Sequence, residues 1–142
     1  MSMLTVHVDT DSLTRASSGS ITGVLFLRGD GAAFPEEGWS DFPVVVLAWW
    51  LEALEGLRSG RAASASCRFM EGPFSVEVAR RGVEFLLRGQ RDGRRVEVLV
   101  EERVDLESFW REVRAGASRV VAVCAARGWT SKDLESLRRW LD

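Results

Sequence analysis

The sequence of 142 residues predicts an α+β domain in which helices cover one face of an antiparallel sheet. Two strand-like runs precede an apolar helical segment, and four further strand-like runs, separated by turns, follow it. The last third of the chain carries apolar residues at helical spacing. We therefore expect about six strands in the order ββαββββαα, within a single domain that spans residues 1–142.

The first two runs predict paired strands. Residues 3–9, MLTVHVD, alternate apolar and polar side chains, as in a half-buried strand. Residues 21–28, ITGVLFLR, are apolar on both faces and suit a central strand. The segment between them, TDSLTRASSGS, is expected to be a polar connection.

A helix is predicted over residues 41–58. Either Ser40 or Asp41 can cap it, and with Ser40 as the cap, Trp39 and Val44 are placed as a hydrophobic staple. The uninterrupted apolar run, 42–51, is too short to span a bilayer.

Two adjacent tryptophans of this helix have different expected environments. Trp50 falls at the centre of the apolar stripe, which predicts a core residue. Trp49 lies about 100° around the helix, on the flank. It can pack under the C-terminal helices or contact a partner, since interfaces favour Trp.

The four following runs predict a meander with one dry and one wet face. Its turns lie at Gly72-Pro73, Arg80-Arg81-Gly82 and Asp92-Gly93. The expected dry faces carry Ala65, Cys67 and Phe69; Phe74, Val76 and Val78; Val83, Phe85 and Leu87; and Val96, Val98 and Val100. A long helix capped by Asp105 and a short last helix follow.

Charge is unevenly distributed along a chain whose net charge is −2. Residues 1–60 hold three Arg against eight Asp and Glu, and residues 61–142 hold sixteen basic against thirteen acidic residues. The asymmetry can mark an acidic interaction surface or reflect where solvated faces fall. Lys132 is the only Lys and Asn is absent, a bias typical of a GC-rich bacterial genome.

No set of residues for catalysis or metal binding is evident. His7 is the only His, and Cys67 and Cys124 are far apart in apolar surroundings, so buried free thiols are expected. We predict no catalytic residue, no metal, no cofactor and no enzymatic activity. The basic turns at 80–81 and 91–95 lack interleaved aromatics, so nucleic acid is not an expected partner. The net charge of −2 gives no reason to expect an anionic membrane as a partner either.

Two stretches carry a resemblance to known proteins: Trp39-Ser40-Asp41-Phe42, which leads into the apolar helix, and Phe69-Met70-Glu71-Gly72-Pro73-Phe74. Over residues 34–80 the chain resembles small uncharacterised bacterial proteins, some of which look like immunity proteins of polymorphic toxin systems. This resemblance implies a cytoplasmic protein that neutralises a toxin by binding it. The start of the chain, MSMLTVHVD, shows no signal-peptide pattern, which also favours the cytoplasm.

The acidic loop, residues 30–41, is the candidate surface for a protein partner such as a toxin or effector. The predicted partner-binding residues are Asp30, Glu36, Glu37, Trp39 and Trp49. The loop can equally be a solvated connection whose Phe34 and Trp39 cover the end of the sheet, and the Arg-rich hairpins can form the interface instead. Alternative functions are a secretion chaperone or homodimeric subunit of a bacterial assembly, and an enzyme with a carboxylate/Arg site.

Overall fold

The computed structural model describes residues 4–142, in which the chain forms eight strands and three helices. Their bounds, in chain order, are β1 Thr5–Arg15, β2 Ile21–Arg28, β3 Ala33–Phe34, β4 Ser40–Asp41, α1 Pro43–Arg58, β5 Ser64–Arg68, β6 Phe74–Arg81, β7 Glu84–Arg91, β8 Glu97–Val104, α2 Leu106–Ala126 and α3 Lys132–Arg139.

The predicted α+β class is confirmed, but the strands form two sheets instead of one sheet of about six. The first sheet contains β1 to β4, and both short strands pair with β2. The second is the meander β5-β6-β7-β8. Helix α1 contacts β2 of the first sheet, β5 of the second and both other helices. The two additional strands have two residues each, too short to produce an alternating pattern.

Strand β1 is longer than the sequence predicts. Residues 10–15 belong to it, although the pattern indicated a polar connection, because an irregularity between Asp9 and Thr14 shifts the register and interrupts the alternation. The extension buries Leu13 against β2. A Cβ on Gly23 would lie 2.7 Å from a methyl of Leu13, so the glycine leaves room for this side chain.

Helix α1 follows the predicted phase but not the predicted cap. Its N-cap position is Phe42, and no side chain caps it. Ser40 and Asp41 belong to β4, so neither residue is the N-cap. The hydrophobic staple predicted between Trp39 and Val44 required Ser40 at that position. Trp50 is fully buried, as predicted, and its Nε1 donates to the carbonyl of Arg68 at 2.8 Å.

The meander is confirmed, with one correction in β8. Val96 and Val98 were expected on the dry face, yet they are 59% and 46% exposed. The pairing skips Leu99, because Gly89 pairs with Val100 and the next residue, Gln90, pairs with Val98. We call the side chains of β8 that face the core, which include Val100 and Val104, its inner row. The irregularity turns Val98 out of this row. Val83, also expected on the dry face, lies in the β6–β7 turn and is exposed.

The C-terminal helices close the core as expected. Asp105 caps α2 by accepting a hydrogen bond from the Ser108 amide at 3.2 Å. The buried side of α2 includes Phe109, Trp110 and Val113. The same hydrophobic cluster contains buried residues of α1, α3 and both sheets.

Candidate functional site

The acidic loop runs back along β2 and is attached to it at both ends. Strand β3 pairs with the end of β2, with Leu27 opposite Phe34, and β4 pairs with its beginning, with Gly23 opposite Asp41. Phe34 is 3% exposed and packs edge-on against Phe69 and Phe74, with ring centroids 5.9 Å apart in each case. The loop thus has a buried aromatic anchor at β3.

Asp41 is the strongest polar anchor of the loop, and the prediction that it can cap α1 is wrong. It is 1% exposed and belongs to β4, outside the helix. Its carboxylate accepts hydrogen bonds from the Trp39 indole at 2.9 Å and the Phe42 amide at 2.8 Å. It also accepts from the amides of Met70 at 3.2 Å and Glu71 at 3.1 Å. These bonds connect the loop to the β5–β6 turn.

Trp39 is held in place by these contacts. Its ring packs edge-on against Phe74 at 5.3 Å, and a Cβ on Gly72 would lie 3.2 Å from its Cη2 atom. Gly72 also has a φ of +68°, which favours glycine. One side of Trp39 remains accessible in a shallow depression that Glu36 and Glu71 also line. The ring is therefore partly buried and fixed, with an accessible edge.

The other three carboxylates of the loop are exposed, but they do not converge on one point. Glu36 lies beside Trp39. Glu37 forms an ion pair with Arg28 and lines a second depression together with His7. Asp30 lies at the mouth of a cleft between the sheets. The structure brings Glu36 and Trp39 together and places Glu37 and Asp30 at two other depressions.

Trp49 lies apart from the loop carboxylates. It is 42% exposed, so it is not enclosed under the C-terminal helices. Val45, one turn earlier on α1, lines a depression together with Met70, which is 40% exposed. This depression and Trp49 give α1 an accessible apolar side, whereas the depressions beside Trp39 and His7 do not include Trp49.

The Arg-rich hairpins form two separate groups. The turn after β6 and the turn before β8 lie at opposite ends of β7, because the strands are antiparallel neighbours. Arg80 lies over the Phe85 ring and Arg91 over the Phe74 ring, with guanidinium-to-centroid distances of 4.7 and 5.8 Å. These turns do not combine into one continuous basic surface.

The two cysteines are buried, and the only histidine makes local side-chain contacts. Cys67 and Cys124 are buried free thiols, as predicted, and burial raises the pKa of both above the ordinary value. Their thiolate fractions at neutral pH are therefore small. The His7 ring shares a hydrogen bond with the Thr5 hydroxyl at 2.9 Å and stacks on Phe26 at 5.0 Å.

Among residues 4–142, no three His, Cys, Asp or Glu residues form a group that could hold a metal ion. No helix in this range is long and apolar enough to cross a membrane.

Comparison with known proteins gives no match for this chain, whether to protein-family models, to curated proteins or to solved structures.

Proposed function

We propose that this chain is a non-enzymatic bacterial protein-binding protein of the immunity type, which neutralises a toxin in the cytoplasm by direct binding. The observation that carries the proposal is the acidic loop, where the exposed Glu36 lies beside a fixed tryptophan, Trp39. The same loop also exposes Asp30 and Glu37. Asp30, Glu36, Glu37 and Trp39 form the proposed contact surface, and Trp49 extends it if the partner reaches α1.

The anchoring of the loop supports this role. A loop that is ordered before binding loses less conformational entropy on association, and a greater share of its contact energy becomes affinity. The buried Phe34 and the hydrogen bonds of Asp41 supply that order.

The chemistry of the loop favours a basic partner surface. Exposed carboxylates accelerate encounter with a cationic cleft, and the partly buried Trp39 offers an aromatic contact beside them. An inhibitor of this kind needs no catalytic group, because occupying the active cleft of the toxin is sufficient.

The proposal is tested with the product of the adjacent upstream gene, which we expect to be a large toxin. Expression of that product alone should arrest growth, and co-expression of this chain should restore it through a stable complex. Failure to restore growth, together with failure of the purified proteins to associate, would contradict the proposal.

The loop assignment is tested by Glu36→Lys, with Glu97→Lys on β8 as the matched control. Each variant reverses one exposed charge, so both change the net charge equally. Glu36→Lys should weaken association about tenfold or more, with a larger effect at low salt, and should change unfolding stability by less than about 0.5 kcal/mol. Equal affinities for the two variants would remove the loop from the interface.

A homodimeric subunit or chaperone is the second candidate, and the edge of β8 favours it. Val98 and Leu99 are exposed on β8, which lies at the end of its sheet, and the exposed Val96 directly precedes this strand. Exposed apolar edge strands pair readily with a second chain. A stable dimer in light scattering that Val98→Lys converts to a monomer would favour this candidate; a monomer with native Val98 would remove it.

A further inference from the structure

A cleft of about 260 Å³ lies between the two sheets. Its floor is apolar and comes from both sheets; the lining residues include Leu4, Leu27, Phe34, Val76, Leu87 and Val100. The volume is slightly below the range of about 300–1,000 Å³ that is usual for drug-sized ligands. The cleft therefore suits a short unbranched chain better than a nucleotide or a large cofactor.

Glu102 places a carboxylate at this apolar cleft. On β8 it lies between Val100 and Val104 in the inner row, opposite the fully buried Leu87. The adjacent Glu101 belongs to the outer row, where Arg88 donates to it at 2.7 Å. The Glu102 side chain is half-buried and lines the cleft, and within residues 4–142 its carboxylate has no hydrogen bond and no ion pair. A cationic partner would offset the cost of its partial desolvation.

Gly29 makes room for this carboxylate. A Cβ at that position would lie 2.6 and 2.8 Å from the two oxygens of Glu102, so the carboxylate rests where any other residue would place its side chain. Asp30, the next residue, lines the same cleft and adds a second negative charge. An apolar floor thus ends at carboxylates that attract a cation.

We propose that the cleft binds an unbranched alkyl chain that ends in a cation, such as an alkylamine or a lysine side chain. The alkyl part covers the apolar floor, and the ammonium group donates charge-assisted hydrogen bonds to Glu102, with Asp30 contributing attraction. A neutral chain would leave the carboxylate without a partner, and an anionic one would be repelled. The site does not depend on the proposed toxin partner, because free ligands can test it.

The test is a titration of the ¹⁵N-labelled protein with n-hexylamine, followed by amide chemical shifts at neutral pH. Shifts should concentrate at Gly29, Leu87 and Val100 and should saturate. n-Hexanol, the neutral chain of equal length, should bind at least about tenfold more weakly, as expected when a charge-assisted hydrogen bond is lost.

Two variants locate the cation. Glu102→Gln should abolish the preference for the amine over the alcohol, and Glu97→Gln, on the same strand but outside the cleft, should retain it. Equal binding of amine and alcohol to the unmodified protein, an unchanged preference in Glu102→Gln, or no shifts at the cleft would each overturn the proposal.

A parallel titration with N-acetyl-lysine-N-methylamide separates the two sources of the ligand. Saturation by the lysine derivative at the same amides assigns the cleft to a side chain presented by a polypeptide. Saturation by hexylamine alone assigns it to a small free amine. Both results support the site.

Discussion

The acidic loop and strand β8 show that forming a continuous strand and being firmly attached to the core are different properties of a segment. The loop has only two short strands, yet Phe34 and Asp41 bury it at two points. Strand β8 is continuous over eight residues, yet its first half exposes Val98 and Leu99. Attachment depends on the buried aromatic and polar contacts of each segment, and the loop has more of them.

The largest expected effect is a difference in unfolding free energy between truncating an apolar side chain in the acidic loop and truncating one in β8. Phe34→Ala should lower the free energy of unfolding by about 3–5 kcal/mol, because it removes a buried ring and leaves a cavity between Phe69 and Phe74. Val98→Ala, the matched truncation in β8, should cost less than about 1 kcal/mol. Urea unfolding measures both, and similar losses would show that the two regions are equally anchored.

A somewhat smaller effect isolates the polar anchor of the loop. Asp41→Ala should cost about 3 kcal/mol, because it leaves the amides of Met70 and Glu71 and the indole of Trp39 without their acceptor. Asp30→Ala is the control, since that carboxylate is exposed and should contribute less than about 0.5 kcal/mol. If Asp41→Ala costs no more than this control, the Asp41 bonds do not hold the loop.

The smallest effect concerns the ion pair between Arg58, at the end of α1, and Glu107, in the first turn of α2, which follows β8. Hydrogen bonds from Arg58, at 2.7 and 2.9 Å, lower the pKa of Glu107 below its ordinary value of 4.5. Both side chains are solvent-accessible, so Glu107→Gln should cost less than about 1 kcal/mol at pH 7.

The stability difference between Glu107→Gln and the unmodified protein changes with pH in a defined direction. Because the pKa of Glu107 is lower in the folded state, the stabilisation is complete above the unfolded pKa and is lost as the pH falls through the folded pKa. The stability difference between Glu107→Gln and the unmodified protein should therefore shrink with acidification in urea titrations. A difference that grows at low pH would contradict the assigned pKa direction.

Periodic segments were predictable from the sequence, and locally irregular ones were not. The bounds of β2 and the buried phase of Trp50 follow from patterns within the segments themselves. The extension of β1 past Asp9 and the outward turn of Val98 depend on pairing irregularities, which leave no periodic signal.

The candidate site was predictable only in part. The exposure of Asp30, Glu36 and Glu37 agrees with a polar loop. The role of Asp41 depends on amides of the β5–β6 turn, which are distant in sequence. Glu102 between Val100 and Val104 does leave a local signal, an acidic residue in an apolar row, but the register that places this row inward is known only from the fold.

Native-state hydrogen exchange tests the difference in attachment most directly. We predict that the amides of Met70 and Glu71, which donate to the buried Asp41, exchange much more slowly than the β8 amides that point away from β7. Faster exchange at Met70 and Glu71 than at that β8 edge would contradict the claim that the acidic loop is a pre-ordered surface.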